Sequence, residues 1–471
     1  MHVGDVAAGE EGQKAGPESP EAVEQSAPAP ETQGRSGTAT FATMCAGQIV
    51  SLFGSRLTSF VLGVWVFQTT GSATKFSLFA FFAIVPQLAL SPISGALVDR
   101  WDRRWVMIIS DTGAALGTLA IIGLLRSDNL EIWHLYAVTA FSACFGAFQG
   151  PAFLASVPLL VRKSQLVRAN GMASLGASGS LIVAPLVAPF FLSTVGMSGV
   201  IAIDLLTFLI SAVVLLMIRI PRPKKVSVLE GGDKSLFREA LMGWTFVRER
   251  KGFVALLLLF SFTNFNMGLI HVLTTPMVLS FATEIELGRV LSLAAIGMLL
   301  GSLAISIWGG GRRNRVTLIL IFFGIQGLVL TLGGVKPSIP LISAAVVVFT
   351  FCTPFISANV QATWQAKVPL DLQGRVLAVR RLIAMGSLPL AYLLAGPLVD
   401  LVFEPLLAPG GLLVDSVGQY IGVGRGRGIG LLFMVIGFSV LTMLVLVSRY
   451  QPLRRIETDL PDMVGDEAIT T

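Results

Sequence analysis

Runs of about 20 or more residues without a single Asp, Glu, Lys or Arg recur along the chain, at 76–98, 132–161, 252–283, 290–311, 316–335, 337–366 and 428–448. An apolar helix of about 20 residues crosses a bilayer core, and only a helix or a closed barrel leaves no backbone amide unpaired in lipid. Lipid is the required solvent, because with 54% hydrophobic and 13% charged residues and a mean hydropathy of +0.77 there is more apolar surface than a soluble core can bury. Three further spans each carry one ionisable residue: 41–69 with Arg56, 105–125 with Asp111 and 200–218 with Asp204. The run 382–399 is short and is predicted to extend backward over Arg380 and Arg381, whereas 169–203 is too long for one crossing and is predicted to break within 193–199. The expectation is twelve spans.

Loop charges set the orientation. With both termini on one side, the loops on that side hold 25 Lys and Arg against six on the other, so both termini are expected in the cytoplasm of a bacterial plasma membrane. The net charge of +6 is explained by this topology, and no continuous basic face suggests nucleic acid. Cys45, Cys144 and Cys352 lie far apart in apolar runs and read as packing residues rather than a disulfide or metal set. Residues 1–40 are acidic and rich in Pro and Gly, the composition of a disordered tail; they show no signal-peptide pattern.

The spans divide six and six, giving an N-terminal bundle at 41–219, a linker at 220–252, a C-terminal bundle at 253–450 and a second tail at 451–471. Such a layout is expected of a transporter built from two parallel repeats. Within the linker, Leu236, Phe237, Ala240, Leu241, Trp244 and Val247 share helical spacing, predicting an amphipathic helix along the membrane face. The loop from Gly95 to Arg104 has a positional counterpart in Arg312, Arg313 and Arg315, and Val157-Pro158 has one in Val368-Pro369, followed by Gly374-Arg375.

Gly95, Asp99-Arg100 and Arg103-Arg104 resemble the cytoplasmic signature of the major facilitator superfamily, with Asp102 standing where that signature has a second Gly. This departure, together with Gly54-Ser55-Arg56-Leu57-Thr58, Ile203-Asp204 and Trp364-Gln365, resembles the macrolide-efflux and enterobactin-exporter branch of 12-span drug:proton antiporters. The resemblance implies an all-α integral membrane protein of the major facilitator fold, with 12 transmembrane helices in two six-helix bundles related by pseudo-two-fold symmetry. It implies export of an amphipathic small molecule by alternating access and proton antiport. It also implies a conformational latch of Gly95, Asp99, Arg100, Arg103, Arg104 and Arg375. Ser180, Ala184, Pro185, Ala188 and Pro189 stand where exporters of this kind carry a helix-bending antiporter motif.

Arg56 lies midway along its span, where an unpaired charge costs roughly 2.5 kcal/mol or more. Two readings are open: it faces an anionic group of the substrate, or it is a structural residue bonded to backbone carbonyls. Asp111, two turns into the third span and within reach of the interface, and Asp204 read as structural pairing or helix-end groups. Gln149, Asn264, Asn266, His271, Asn359 and Gln361 are the remaining candidates for contact with substrate or coupling ion. Arg425 and Arg427, before the last span, are expected to anchor lipid headgroups or to shape an outer vestibule. With three His and no acid, base or metal cluster, the chain does not read as an enzyme. The expected partners are a small-molecule substrate, protons and the bilayer; no nucleic acid, cofactor or metal is expected, and the expected state is a monomer.

Overall fold

The computed structural model describes residues 35–221, 242, 244–309 and 315–454, except the side chains of residues 35, 36, 96, 99, 370, 371, 453 and 454. The expectations for the acidic tail up to residue 34, for Leu236, Phe237, Ala240 and Leu241 in the linker, for the counterpart loop at Arg312 and Arg313, and for the tail from 455 lie outside the described residues. Among the described residues there are helices and no β-strand, and eleven helices are long and apolar enough to cross a membrane. They are α1 (Arg35–Thr70), α2 (Ala73–Arg100), α3 (Arg103–Arg126), α4 (Ile132–Leu160), a long helix Leu166–Met217, α7 (Lys251–Leu279), α8 (Glu284–Trp308), α9 (Arg315–Val335), α10 (Ile339–Lys367), α11 (Leu370–Pro397) and α12 (Arg427–Arg449).

The long helix is two spans. Gly196 takes φ 69° and ψ 178°, a left-handed φ that glycine adopts without a Cβ clash, and the helix breaks there into arms 166–195 (α5) and 197–217 (α6). The arms run in opposite senses along α1. Gly176 of α5 packs on Ile49, and Ala184 packs in a cluster with Leu57 and Val61, whereas Asp204 of α6 abuts Gly54 and Val214 abuts Gly47. The chain therefore reverses at Gly196, and the described residues supply twelve candidate spans when the long helix is counted as two. α11 starts at Leu370, earlier than the apolar run indicated, and continues through a π-helical turn, Leu398–Phe403, into Glu404–Leu407. It accommodates Arg380 because Nη2 donates to Gln361 Oε1 at 2.7 Å while the guanidinium lies over the rings of Phe260 (5.3 Å) and Trp364 (5.8 Å).

Packing differs at the two ends of the molecule. At the end with the basic loops, two separate apolar cores form: Phe41, Met44, Met107, Leu160 and Leu215 in the first bundle, and Phe253, Leu256, Phe323, Trp364 and Val376 in the second. Val247 joins the second core, so the described part of the linker docks on the C-terminal bundle. At the far end one core takes residues from both bundles, among them Leu62, Val66, Phe67 and Phe76 with Leu273, Met277, Leu287, Tyr392 and Val399. Two helix pairs, α2 with α11 and α5 with α8, form the seams between the bundles. Small residues allow both to close tightly. Gly396 lies on the backbone of Thr74, and Gly288 lies on the Pro185 carbonyl, beside which Ser292 Oγ donates to the Ile182 carbonyl at 2.7 Å.

Candidate functional site

The far end is sealed by polar contacts as well as apolar ones. Ser72 caps the N-terminus of α2, and the Asp400 carboxylate, in the π-helical turn after α11, completes that cap from the other bundle. Its Oδ2 accepts from Ser72 Oγ at 2.6 Å and from the Thr74 N–H at 2.9 Å, and its Oδ1 accepts from the Ala73 N–H at 3.1 Å. These amides are orphan donors at the positive end of a helix, the place where a carboxylate binds best. Nearby, Gln68 donates to Glu284 across the same boundary, and Gly71 packs against the Arg425 guanidinium. With the Ser292 bond at the α5–α8 seam, these contacts tie the two bundles together at the far end.

Gly396 is the steric counterpart of Asp400. A Cβ there would run into the Thr74 backbone and the Ser77 hydroxyl, which stands 2.5 Å away. Gly396→Val is expected to cost about 1–3 kcal/mol of the sealed form by overpacking and to slow transport roughly tenfold at normal expression; initial rates normalised to folded protein check this.

Toward the basic end the joint core gives way to the two separate ones. Along α1, Val61 to Val64, Val66 and Phe67 are buried, but toward the basic end an exposed stripe opens at Ser59, Arg56, Val50, Ala46 and Thr43. The seam helix α5 is exposed or half-exposed at every position from 170 to 179. Arg56 sits at the top of this stripe within electrostatic reach of His271, an exposed side chain on α7. His271 Nδ1 and the hydroxyl of buried Tyr392 on α11 are 3.1 Å apart, with their rings parallel to within 2°. The structure thus brings Arg56, His271 and Tyr392 together across the seam. Tyr392 was not picked out from sequence, because one Tyr in an apolar run carries no signal of its own.

The other candidates are distributed elsewhere. Gln149 belongs to a network inside the N-terminal bundle: it donates to Asp111 and, at 2.9 Å, to Gln48 Oε1, while Gln48 donates to Ser211 Oγ at 2.9 Å and to Asp111 Oδ2 at 3.3 Å. Ser211 Oγ completes the ring with a 2.8 Å bond to Asp111 Oδ2. Asp111, 1% exposed, therefore does not reach the interface as expected, because α1, α4 and α6 enclose it. Asp204, 2% exposed, lies eight residues past the Gly196 break and accepts from Ser55 Oγ at 3.4 Å; it is a mid-helix group rather than a helix-end one. Asn264, Asn266 and Asn359 each donate to the carbonyl four residues back on their own helix, at 2.7, 3.0 and 2.8 Å. Gln361 holds Arg380.

Of the signature loop, Gly95 has open space around it, Arg100 is exposed, and Arg103 and Arg104 bond within their own bundle, to the Ala155 carbonyl (2.9 Å) and to the Leu215 and Leu216 carbonyls (2.6 and 2.5 Å). The Asp99 side chain lies outside the described residues, and Arg375 is half-buried near the start of α11. Ser180 bonds to the Gly176 carbonyl, Ala184 and Ala188 pack on α1, and Pro185 and Pro189 face Gly288. Arg427 departs from the expected headgroup or vestibule role: it is 5% exposed and donates to the Gly334 and Val335 carbonyls, both at 3.0 Å, at the C-terminus of α9. Glu404 holds the turn before it by accepting from the N–H groups of Gly426 (2.6 Å) and Gly428 (3.0 Å).

Comparison with known proteins places this geometry. The sequence model described as "Major Facilitator Superfamily" matches residues 44–392. Macrolide efflux protein A of Streptococcus pyogenes is 29% identical over 371 residues, covering 76% of this chain and 89% of that protein. The multidrug efflux pump Tap of Mycolicibacterium fortuitum is 27% identical over 379 residues, covering 76% and 88%. Among solved structures, the nucleoside transporter NupG superposes with a TM-score of 0.66 at 12% identity, covering 87% of this chain and 99% of that one. A bacterial homologue of the lysosomal transporter Spinster, in an inward-facing and unoccupied conformation, superposes with a TM-score of 0.63 at 14% identity, covering 89% and 97%.

Proposed function

We propose an exporter of bulky amphipathic small molecules, from a premise the comparisons supply: the chain belongs to the Major Facilitator Superfamily and is a multi-pass membrane transporter, not an enzyme. The observation that carries the proposal is the asymmetry of the seams, shut at the far end and open at the basic end. With the basic loops in the cytoplasm, as the positive-inside rule directs, this is a cytoplasm-open state ready to load. The named activities of the relatives, macrolide and multidrug efflux, support loading from that side. Export then requires the bundles to rock until the Asp400 cap parts and the basic ends meet, and the latch proposed for that closed end is Asp99 and Arg100 with Arg375. Protons are the proposed coupling ion. Asp111 and Asp204 are the proposed carriers, because they are mid-span carboxylates whose hydrogen-bond partners Gln48, Gln149, Ser211 and Ser55 are uncharged.

The test is direction. Inverted vesicles carrying the protein are expected to accumulate dansyl-phenylalanine, a bulky amphipathic fluorophore, when the lumen is acidified, and a protonophore is expected to reduce that accumulation severalfold. Accumulation only from the extracellular face would defeat export in favour of uptake by the same fold.

A further inference from the structure

We propose that the cargo carries an anionic group, a carboxylate or its equivalent, gripped at the seam by Arg56 of the first bundle and His271 of the second. This names the cargo class for the site just described and so rests on the transport reading. Other arginines in this molecule are bonded within it. Arg103, Arg104 and Arg427 each donate to backbone carbonyls, and Arg380 donates to Gln361. Arg56 has no hydrogen bond to a described residue and no acid within 4.0 Å of it among them, although it is an exposed side chain mid-helix in a membrane span. It is the structural reading of this residue that lacks its carbonyls.

The acids that might neutralise it are committed elsewhere. Asp111 and Asp204 are buried within the N-terminal bundle, Asp400 caps α2, and Glu404 holds the turn before α12. Among the described residues no acid pairs with Arg56, and the counter-charge in this proposal is the cargo's own. Across the seam, the buried Tyr392 hydroxyl needs an acceptor, and His271 Nδ1 at 3.1 Å is the one it has among the described residues. With Tyr392 donating, the ring proton of a neutral His271 sits on Nε2, leaving an N–H free on an exposed side chain. An unbonded guanidinium fork on α1 and an imidazole N–H on α7 suit a carboxylate, which accepts charge-assisted bonds from both.

The position supplies a mechanism. The apolar seal starts within two turns of Arg56, at Val61, so closing the basic end would shut the guanidinium away from water. An unpaired cation opposes that closure, and a bound anion removes the opposition while tying the two bundles together.

The experiment uses the full-length protein in nanodiscs and three fluorescent probes of matched size: dansyl-phenylalanine, its neutral methyl ester and its cationic ethylenediamine amide. The carboxylate is expected to bind at least tenfold more tightly than either relative. Arg56→Gln should weaken carboxylate binding at least tenfold and leave ester binding within twofold, which also reports that the variant is folded; Arg56→Lys should restore part of the preference. Equal binding of all three probes, binding of none, or a preference surviving Arg56→Gln overturns the proposal. Proteoliposome transport separates this from the question of direction. Carboxylate-selective movement only toward the cytoplasmic face would defeat export and uphold the anion site, whereas export of ester and amine at the carboxylate's rate would overturn the anion site and uphold export.

Discussion

Asp400→Ala is expected to raise the fraction of molecules open at the far end by about a hundredfold. Its carboxylate accepts three hydrogen bonds from the other bundle, two of them from orphan amides at the start of α2. Bonds to a charged acceptor contribute about 1.5–3 kcal/mol each, but water replaces part of that when the seal parts, so a net loss of about 3 kcal/mol is a fair scale, and every 1.4 kcal/mol is about tenfold. Thr74→Cys, in a background lacking Cys45, Cys144 and Cys352, reads the opening through a membrane-impermeant thiol reagent added on the far side. Labelling should accelerate about a hundredfold with Asp400→Ala and by a smaller factor with Asp400→Glu. Unchanged labelling would show that the apolar core alone holds the seal.

Asp111→Ala should act on the folded state itself. Gln48, Gln149 and Ser211 all donate to the Asp111 carboxylate, and truncation leaves those donors facing an apolar void. Each buried group left unmade costs about 1–3 kcal/mol, so a total of about 3–5 kcal/mol is expected once part of the ring rearranges. The measurement is the midpoint of thermal unfolding in detergent, alongside the yield of monodisperse protein. Asp111→Asn keeps an acceptor oxygen and should fold far better. If the carboxylate carries the coupled proton, that variant will still bind cargo but will no longer respond to an imposed pH gradient; a normal response would leave Asp204 as the carrier.

The span pattern was legible in the sequence because lipid imposes a one-dimensional rule: a charge-free run of sufficient length has to cross. Even the break between α5 and α6 could be placed, since a run through 169–203 is too long for one crossing, and Gly196 supplies the left-handed φ that interrupts it. The shortness of 382–399 likewise points to an extension over Arg380 and Arg381, and α11 contains both, but what makes Arg380 tolerable is not legible, because Gln361, Phe260 and Trp364 come from other helices. Site residues followed the same division. Arg56 announced itself as a lone charge in an apolar helix. Asp400, at a span end where acids are ordinary, became noticeable only when α2 was found to begin against it, and Gln48 was overshadowed by nearby charges until the fold closed the ring around Asp111. Arg427 was misjudged because a cation before an outer span looks solvent-facing until the α9 carbonyls that receive it are in place.

The α5–α8 seam has a property that matters for motion. Pro189 has no N–H, so the Pro185 carbonyl four residues earlier has no partner within its helix, and what rests on it is Gly288, a residue with no side chain to donate. Bare oxygen against bare backbone makes a plain bearing: one bundle can roll over the other there without breaking a directional bond, and among the described residues it is the Ser292 hydroxyl on the Ile182 carbonyl that keeps the two shafts in register. The stiffness of the machine is thus concentrated at the Asp400 cap, and its axle is left greased.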